Sequence, residues 1–334
     1  DLWQCLTCDL CRVRCRSDVN LPEFIRRLRL ESIKLGNAGF YSHNNVFHLI
    51  SKIQLRTGEH QKRLNWVPSD IKYLKEGQTL FFVGCAPYFQ TIFKEMNQDN
   101  LATPIASLKL LNHTGIEPVL LKSERCCGHD AFWTGHQSVF EQLMEQNIQN
   151  FKNAGVEKII TACPEGHYML NEVYREYSDK YDFECLHITE FLADKIDKGE
   201  LVIPRVENTE TEEIVSYHDP CRLGRFSGIY EPPRQIIEAI PGVVLNELSC
   251  NRKSSTCCGV SSFMNCDINS KSWRQAKLQD AAAQGAQTLL TTCPKCTIHL
   301  DCYASNEHIK PRIDIKVESL IVKLADKLNL MPKK

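Results

Sequence analysis

Five cysteines in the C-terminal part of this 334-residue chain carry its clearest chemical signal. They fall in three short segments, with 35 residues between the first and the second segment and 34 between the second and the third. A mononuclear tetrahedral zinc site uses no more than four protein ligands. Five thiols therefore favour an iron–sulfur site, whose candidate ligands are Cys221, Cys257, Cys258, Cys293 and Cys296.

Neighbouring residues add the other groups that a redox site needs. Gly259 follows the paired cysteines, which suits a tight turn or a close approach of the backbone to an inorganic sulfide. His218 is a candidate proton donor, because an imidazole titrates near neutral pH. Arg222 and Arg225 are candidates for orienting an anionic substrate. A structural or solvated role stays open for all three side chains.

A second cysteine motif lies at the start of the chain. Its C-x2-C-x2-C-x3-C spacing is typical of a bacterial-type [4Fe–4S] run and comprises Cys5, Cys8, Cys11 and Cys15. Arg16 stands where such runs usually have proline. The fourth cysteine either closes the same cluster or, as in two-cluster ferredoxins, serves another cluster whose run would precede Asp1. We favour the second alternative, and zinc is the competing metal for this motif.

A third, incomplete motif lies between these two. It has 40 and 35 residues between its segments and comprises Cys85, Cys126, Cys127 and Cys163. Gly166 takes the place of the fifth cysteine. His167 is a candidate nitrogen ligand, although a packed or hydrogen-bonded histidine is the alternative. The four thiols either hold an ordinary cluster or are the remnant of a lost site.

Composition limits the class of protein. Seventeen cysteines in a chain of this length do not fit a secreted disulfide scaffold, which is short and denser in cysteine. The net charge of −1 gives no reason to expect nucleic-acid binding. No apolar run approaches the roughly 20 residues of a membrane span. We expect a cytoplasmic protein, associated with a membrane only through a partner, and four further cysteines that behave as small buried apolar residues: Cys185, Cys250, Cys266 and Cys302.

Hydrophobic patterning predicts an α/β fold with mainly parallel sheets. Buried strands alternate with helical stretches, which indicates βαβ units. The predicted strands, some of which run into a cysteine-bearing loop, are Thr79–Cys85, Glu117–Leu121, Lys158–Cys163, Ile214–Tyr217, Val243–Leu248 and Thr288–Thr292. The predicted helices include Leu21–Leu30, Asn45–Arg56 and Val139–Gly155. Cysteines follow these strands, where open α/β sheets carry their sites.

The same order of strands and cysteine motifs occurs twice, at an offset of about 130–136 residues, which indicates a duplicated domain. We divide the chain into a ferredoxin-like segment over 1–30, a helical connector over 31–75, a first domain over 76–203 and a second over 212–330. A polar stretch from Pro204 to Glu213 joins the two domains.

The duplicated motif resembles the cysteine-rich (CCG) domain family. Its members include the catalytic subunits of heterodisulfide reductases and the iron–sulfur subunits of glycolate, lactate and glycerol-3-phosphate oxidoreductases. A ferredoxin-type run ahead of two such domains looks like the D-type heterodisulfide reductase subunit and the K-type subunit of the sulfite-reduction complex. The resemblance implies Rossmann-like domains.

The resemblance also implies a chemistry. The five-cysteine set would hold a non-cubane [4Fe–4S] cluster that reduces a disulfide-type substrate or oxidises thiols, fed by a cubane [4Fe–4S] cluster at the N-terminal run. Cys257 and Cys258, with His218, Arg222 and Arg225, would be the catalytic residues. The alternatives are a relay that only passes electrons and a structural zinc scaffold.

Other redox subunits are implied as partners. The chain shows no Gly-x-Gly-x-x-Gly dinucleotide fingerprint, so another subunit must act as electron source or sink. Among the relatives, that partner is a flavin subunit, a membrane cytochrome b-type subunit, or both.

Overall fold

The computed structural model describes residues 2–39, 41–56, 62–96, 98–204, 212–260, 266–306 and 313–332. Within them, seven strands form two parallel sheets, so the predicted α/β class with parallel sheets is confirmed. The first sheet has the order β1-β2-β3, with β1 Thr79–Phe82, β2 Lys158–Thr161 and β3 Glu184–His187. The second has the order β5-β4-β6-β7, with β4 Glu213–Tyr217, β5 Val243–Leu245, β6 Thr288–Thr291 and β7 Lys316–Ser319.

Helices connect these strands and cover the sheets. They are α1 Leu10–Arg14, α2 Leu21–Lys34, α3 Val46–Gln54, α4 Ala86–Ile92, α5 Ala102–His113, α6 His129–Trp133, α7 Gln137–Asn153, α8 Pro164–Tyr168, α9 Tyr174–Tyr177, α10 Ile188–Asp197, α11 Glu231–Ala239, α12 Ile268–Ala283, α13 Pro294–Ala304 and α14 Leu320–Lys327. Two π-helical turns, Met169–Val173 and Arg222–Phe226, also occur. None of the helices in the described ranges is both long enough and apolar enough to cross a bilayer.

The predicted helices are confirmed as α2, α3 and α7. The start of α2 follows from local chemistry, because the Asn20 side chain accepts a hydrogen bond from the backbone N–H of Glu23 at 3.2 Å. Pro22 lies in the first turn, where its missing N–H has no helical partner. The helix continues to Lys34, four residues beyond the predicted end.

One predicted strand, Glu117–Leu121, is not a regular strand. Only Val119 forms parallel bridges, one with Leu80 and one with Leu74. The segment divides its hydrogen bonds between these two neighbours, and Pro118 has no N–H to extend either ladder. Val119 therefore occupies the place beside β1 that β5 occupies beside β4, so the two halves keep the same strand order.

The two halves pack against each other reciprocally. Helix α10 of the first half contacts α11 of the second, and α14 of the second contacts α5 of the first. One apolar core runs through this contact and includes Leu108, Leu192, Ile237 and Leu324. The duplication is thus visible in the packing as well as in the strand order. The chosen domain boundaries stay predictions, and residues 205–211 of the polar linker lie outside the described residues.

Candidate functional site

The five cysteines of the second half meet at the carboxyl edge of its sheet. The chain reaches Cys221 after β4, the cysteine pair after β5, and the last two cysteines after β6. Cys258 Sγ lies 3.2 Å from Cys296 Sγ, and the Cys257 thiol is hydrogen-bonded to Cys221. Four of the five residues are only 3–5% exposed, and Cys221 is half-buried. The structure therefore brings together all five predicted thiols, which we call the five-cysteine set.

Gly259 makes the sharp turn after the cysteine pair that its sequence position predicts. Its φ is +85°, and a Cβ on it would lie 2.8 Å from the backbone oxygen of Ser270. Both features disfavour any residue with a side chain at this position. A left-handed backbone conformation strains residues that carry a Cβ. The contact is with backbone of α12, which cannot move aside without a cost in free energy.

Substitution of Gly259 by alanine is therefore expected to destabilise the protein by about 2 kcal/mol or more, since strain and a close contact add to each other. Urea unfolding of the protein without a bound cluster measures this decrease in the free energy of unfolding. Gly285 is the matched control, because its φ is +73° but a Cβ there meets no atom within 4 Å. Gly285→Ala should cost only about 1 kcal/mol. Equal losses in both variants would contradict the crowding at Gly259.

A buried carboxylate holds two of the cysteine loops together. Asp219 accepts two hydrogen bonds from the Arg234 guanidinium, at 2.8 and 3.0 Å, and one from the backbone N–H of Arg252 at 2.8 Å. Asp219 precedes Cys221 by two residues, and Arg252 lies in the loop that leads to Cys257. The ion pair thus fixes one loop relative to the other, a role that sequence reasoning missed.

In the first half, a different buried ion pair, Glu124 with Arg63, holds two cysteine loops together. Glu124 accepts hydrogen bonds from Arg63 at 2.5 Å and from the backbone N–H groups of Val83 and Gly84 at 3.2 and 2.9 Å. These contacts join the loop that carries Cys85 to the loop before the first cysteine pair. Both side chains of the ion pair are buried, so the anchoring is internal to the fold.

The four thiols of the first half also converge. Cys85 Sγ lies 3.3 Å from Cys126 Sγ, and all four cysteines line a small cavity of about 30 Å³. Gly166 borders the same cavity, and a Cβ on it would meet only ordinary contacts, the nearest being Thr161 Oγ1 at 3.4 Å. A Cβ at position 166 would therefore fit beside the four thiols, although the sequence has no fifth cysteine there.

The His167 side chain contacts a serine of the second half. Its Nδ1 lies 3.1 Å from Ser227 Oγ in the second half, and burial lowers the pKa of its imidazole to about 4. These contacts agree with the packed, hydrogen-bonded histidine that the sequence left open.

His218 lies at the five-cysteine set, as its position in the sequence predicts. A ring nitrogen of His218, Cys258 Sγ and Cys296 Sγ all lie within 4.8 Å of one another. The side chain is buried and is hydrogen-bonded to the Cys258 thiol. Burial lowers the pKa of its imidazole, which favours the neutral form. Proton donation by His218 stays a prediction.

Arg222 and Arg225 clamp the N-terminal motif onto the second half. Arg222 donates to the backbone oxygen of Thr7 at 2.6 Å and to its hydroxyl at 2.8 Å. Arg225 donates to the backbone oxygen of Cys8 at 2.6 Å and to that of Ser255 at 2.5 Å. These contacts support a structural clamp, and the orientation of an anionic substrate by either arginine stays a prediction.

The clamp brings one cysteine of the N-terminal motif to the five-cysteine set. Cys8 is hydrogen-bonded to Cys257, which together with Arg225 lowers the pKa of the Cys8 thiol to about 6 although burial opposes this. Cys5 Sγ accepts a hydrogen bond from the backbone of Thr7, Cys11 is exposed, and Cys15 ends α1. The two cysteine motifs are therefore in direct contact, whereas a ferredoxin-like arrangement of the N-terminal motif stays a prediction.

Charge distinguishes the two cysteine sets. A hydrogen bond to Cys257, with the charges of Arg222 and Arg225, lowers the pKa of Cys221 in spite of burial. A hydrogen bond to Cys126, burial and the nearby Asp130 carboxylate raise the pKa of Cys85. Thiolates are the form that binds metals, and cations stabilise them. Hydrogen bonds to neighbouring thiols and burial raise the pKa of Cys257 and Cys296, so Cys221 and Cys258 are the thiols of the second set whose pKa is lowered.

The donor set fits an iron–sulfur cluster better than zinc. Five soft thiols surrounded by cationic side chains exceed the four ligands of a tetrahedral zinc site. Cysteine thiolates are the usual ligands of iron–sulfur clusters. The residues present therefore match the predicted kind of cofactor, although not a particular cluster shape.

The remaining cysteines divide into two groups. Cys185 is buried on β3, as predicted, and Cys250 is half-buried. The prediction is wrong for Cys266 and Cys302, which are exposed. Cys302 lies on α13 beyond the turns that carry the site, where the helix has a solvent-facing side.

A charged cluster between the two cysteine sets was missed by sequence reasoning. Lys295 Nζ lies 2.5 Å from Asp130 Oδ1 and 2.5 Å from Glu165 Oε2. The available signal was the third position of the Cys-Pro-x segments, which is Glu165 in one half and Lys295 in the other. Opposite charges at equivalent positions of a duplication suggest a contact between the copies.

Comparison with known proteins agrees with the geometry. The profile of a family described as a cysteine-rich domain matches residues 79–171 and 215–301. The D subunit of dihydromethanophenazine:CoB–CoM heterodisulfide reductase from Methanosarcina acetivorans is 32% identical over 339 residues, which cover 99% of this chain and 78% of that protein. The B subunit of fumarate reductase (CoM/CoB) from Methanothermobacter marburgensis is 26% identical, with 96% and 60% covered. EtfAB:quinone oxidoreductase of Syntrophomonas wolfei is 29% identical, with 71% and 32% covered.

Proposed function

Because this chain belongs to the cysteine-rich domain family, we propose that it is an iron–sulfur oxidoreductase subunit of heterodisulfide reductase type. It reduces a disulfide-type substrate, or oxidises the corresponding thiols in the reverse direction. The observation that carries the proposal is the convergence of five thiols from three loops at one sheet edge, among cationic side chains.

The proposed ligands follow the cysteine motifs. A non-cubane [4Fe–4S] cluster belongs to the five-cysteine set, and a cubane [4Fe–4S] cluster to the N-terminal motif in a ferredoxin-like segment. When bound, these groups supply one-electron transfer and an iron that accepts a substrate sulfur. The cysteines of the first half stay outside the proposed catalytic centre, because their fifth position is Gly166.

The residues of this chain prepare the site in three ways. Arg222 and Arg225 hold the N-terminal motif in contact with the five-cysteine set, which shortens the path for electrons. Asp219 fixes the loops of Cys221 and Cys257. His218 lies beside Cys258 and is the proposed proton donor to a departing sulfur; because burial favours its neutral form, it first takes up a proton. Reduction of one disulfide consumes two electrons and two protons and releases two thiols.

The electrons come from another subunit. The relatives are named as subunits or as oxidoreductases that act with quinone, so we propose a flavin subunit, a membrane cytochrome b-type subunit, or both, as partners. We propose that the protein is cytoplasmic and associates with a membrane only through such a partner.

Burial favours a second candidate, a relay that passes electrons without binding substrate. Four of the five thiols are 3–5% exposed, which suits electron transfer through the protein as well as chemistry at a buried metal. The two candidates differ in whether a substrate sulfur reaches the site.

The test uses the anaerobically reconstituted full chain. Iron and sulfide content with electron paramagnetic resonance counts the clusters, and dithionite-reduced protein is then mixed with a small disulfide or with a thiol. We expect a new spectral species on addition and reoxidation by the disulfide. A spectrum that responds to neither reagent would leave the relay as the function, and a protein that binds zinc but no iron would overturn both candidates.

A further inference from the structure

We propose that Lys295 is a positioning residue through which the first half sets the geometry and the reduction potential of the five-cysteine set. The inference rests on the proposed function, since it assumes that this set holds a redox centre. It assigns the first half a task that does not depend on its own incomplete cysteine motif.

The contact is short, ionic and internal. Lys295 Nζ lies 2.5 Å from one carboxylate oxygen of Asp130 and 2.5 Å from one of Glu165. The side chains are 5%, 15% and 11% exposed, so water screens them poorly. Both carboxylates belong to the first half and the ammonium to the second. These two ion pairs therefore join the two halves of the protein at the level of the cysteines.

The cluster continues to the N-terminal motif. His129 Nδ1 lies 2.9 Å from Asp130 Oδ1, and its Nε2 accepts a hydrogen bond from Arg222 Nε at 3.0 Å. Arg222 in turn holds Thr7. Three parts of the chain thus meet in one connected polar network, and its Lys295 end borders the cavity that the cysteines of the first half line.

Duplication explains why this contact lies where it does. Glu165 and Lys295 are equivalent, each following Cys-Pro in the first turn of α8 or α13. Equivalent residues approach each other where two related halves pack face to face. Two lysines or two glutamates there would repel, so the opposite charges stabilise the pairing of unlike halves.

Lys295 is coupled to the site by the covalent chain. It lies between Cys293 and Cys296 in the first turn of α13, so anchoring its ammonium restrains the turn that carries both thiols. Two buried carboxylates, Asp130 and Glu165, contact the same ammonium, so Lys295 is an anchored buried cation.

A fixed cation favours the reduced, more negative state of a nearby redox centre. In a medium with an effective dielectric constant of about 20, a unit charge changes such an equilibrium by about thirty-fold if it lies about 8 Å from the centre. Asp130 and Glu165 offset part of this. Removal of Lys295 also leaves their negative charges behind, so the net change points in the same direction.

The test compares Lys295→Met with wild type in the reconstituted full chain, by redox titration followed with electron paramagnetic resonance. We expect the reduced-to-oxidised ratio of the five-cysteine centre at a fixed potential to fall about ten-fold or more, which is about 59 mV for a one-electron couple. Lys122→Met is the control, because Lys122 is exposed. The reduction potential of the five-cysteine centre in this variant should equal that of wild type.

Asp130→Asn separates electrostatics from general damage. It removes a negative charge and keeps the lysine, so the potential is expected to rise, opposite in sign to Lys295→Met. Potentials that stay at the wild-type value in both variants, or that shift in the same direction, would overturn the inference.

Lys295→Arg, which keeps the charge, supplies the answer if Lys295→Met does not fold, since its potential should stay near that of wild type. A shift in Lys295→Arg as large as the one expected for Lys295→Met would overturn the inference. Failure to incorporate iron in the wild-type protein would overturn the proposed function instead, so the two failures are distinguishable.

Discussion

Replacement of Cys258 by serine is expected to remove the redox centre of the five-cysteine set and to lower disulfide reduction by more than about 100-fold. Substitution of residues that only support a metal ligand already costs about 10–100-fold in metal affinity or activity, so loss of a ligand should cost at least as much. Cys258 has the central place in the set, because its sulfur lies 3.2 Å from Cys296 Sγ and near a nitrogen of His218.

The matched control is Cys127→Ser, which changes the equivalent cysteine of the first half. Both residues are second in a Cys-Cys-Gly segment, and both are buried. We expect Cys127→Ser to keep the electron paramagnetic resonance signal of the five-cysteine centre and most of the activity. Iron content, spectrum and steady-state rate are measured on both variants. Equal loss of activity in the two variants would show that the first set takes part in catalysis.

The five-cysteine set could be predicted from the sequence because its signal is local and periodic. Strand-forming segments precede Cys221 and Cys293, and parallel strands bring the residues that follow them to one edge. The glycine after each cysteine pair marks a left-handed turn, which the structure shows at Gly128 and Gly259. Spacing and residue type therefore predicted which thiols of the second half meet, but not the contact of Cys8 with Cys257.

The charged groups around the set could not be predicted in the same way. Arg222 contacts Thr7 and His129, which are 215 and 93 residues away. No local pattern encodes such a contact, because it depends on how the two halves and the N-terminal segment pack. Sequence reasoning left both a substrate-orienting and a structural role open for the arginines, because it lacked their partners in the fold. The strand predicted at Glu117–Leu121 is wrong for two reasons. Pro118 has no N–H to donate to a neighbouring strand. Val119 pairs with both Leu74 and Leu80, and a local pattern does not show how a segment shares its hydrogen bonds between two neighbours.

Substitution of Arg222 by methionine is expected to destabilise the protein by about 3–5 kcal/mol and to release the N-terminal segment. The guanidinium serves three buried acceptors, the backbone oxygen and hydroxyl of Thr7 and the Nε2 of His129. An unsatisfied buried acceptor costs about 1–3 kcal/mol. The side chain also lies 4.2 Å from the ring centres of both Trp133 and Phe226, and such contacts contribute about 1–2 kcal/mol more.

Urea unfolding measures the stability, and hydrogen exchange over residues 2–30 measures the docking of the N-terminal motif. Arg14→Met is the matched control, because Arg14 is an exposed arginine of the same segment. Faster exchange near Cys8 in Arg222→Met, but not in Arg14→Met, together with slower electron delivery to the five-cysteine centre, is the expected pattern. Unchanged exchange at residues 5–9 would show that Arg225 alone holds the motif, and the path for electrons would then not depend on Arg222.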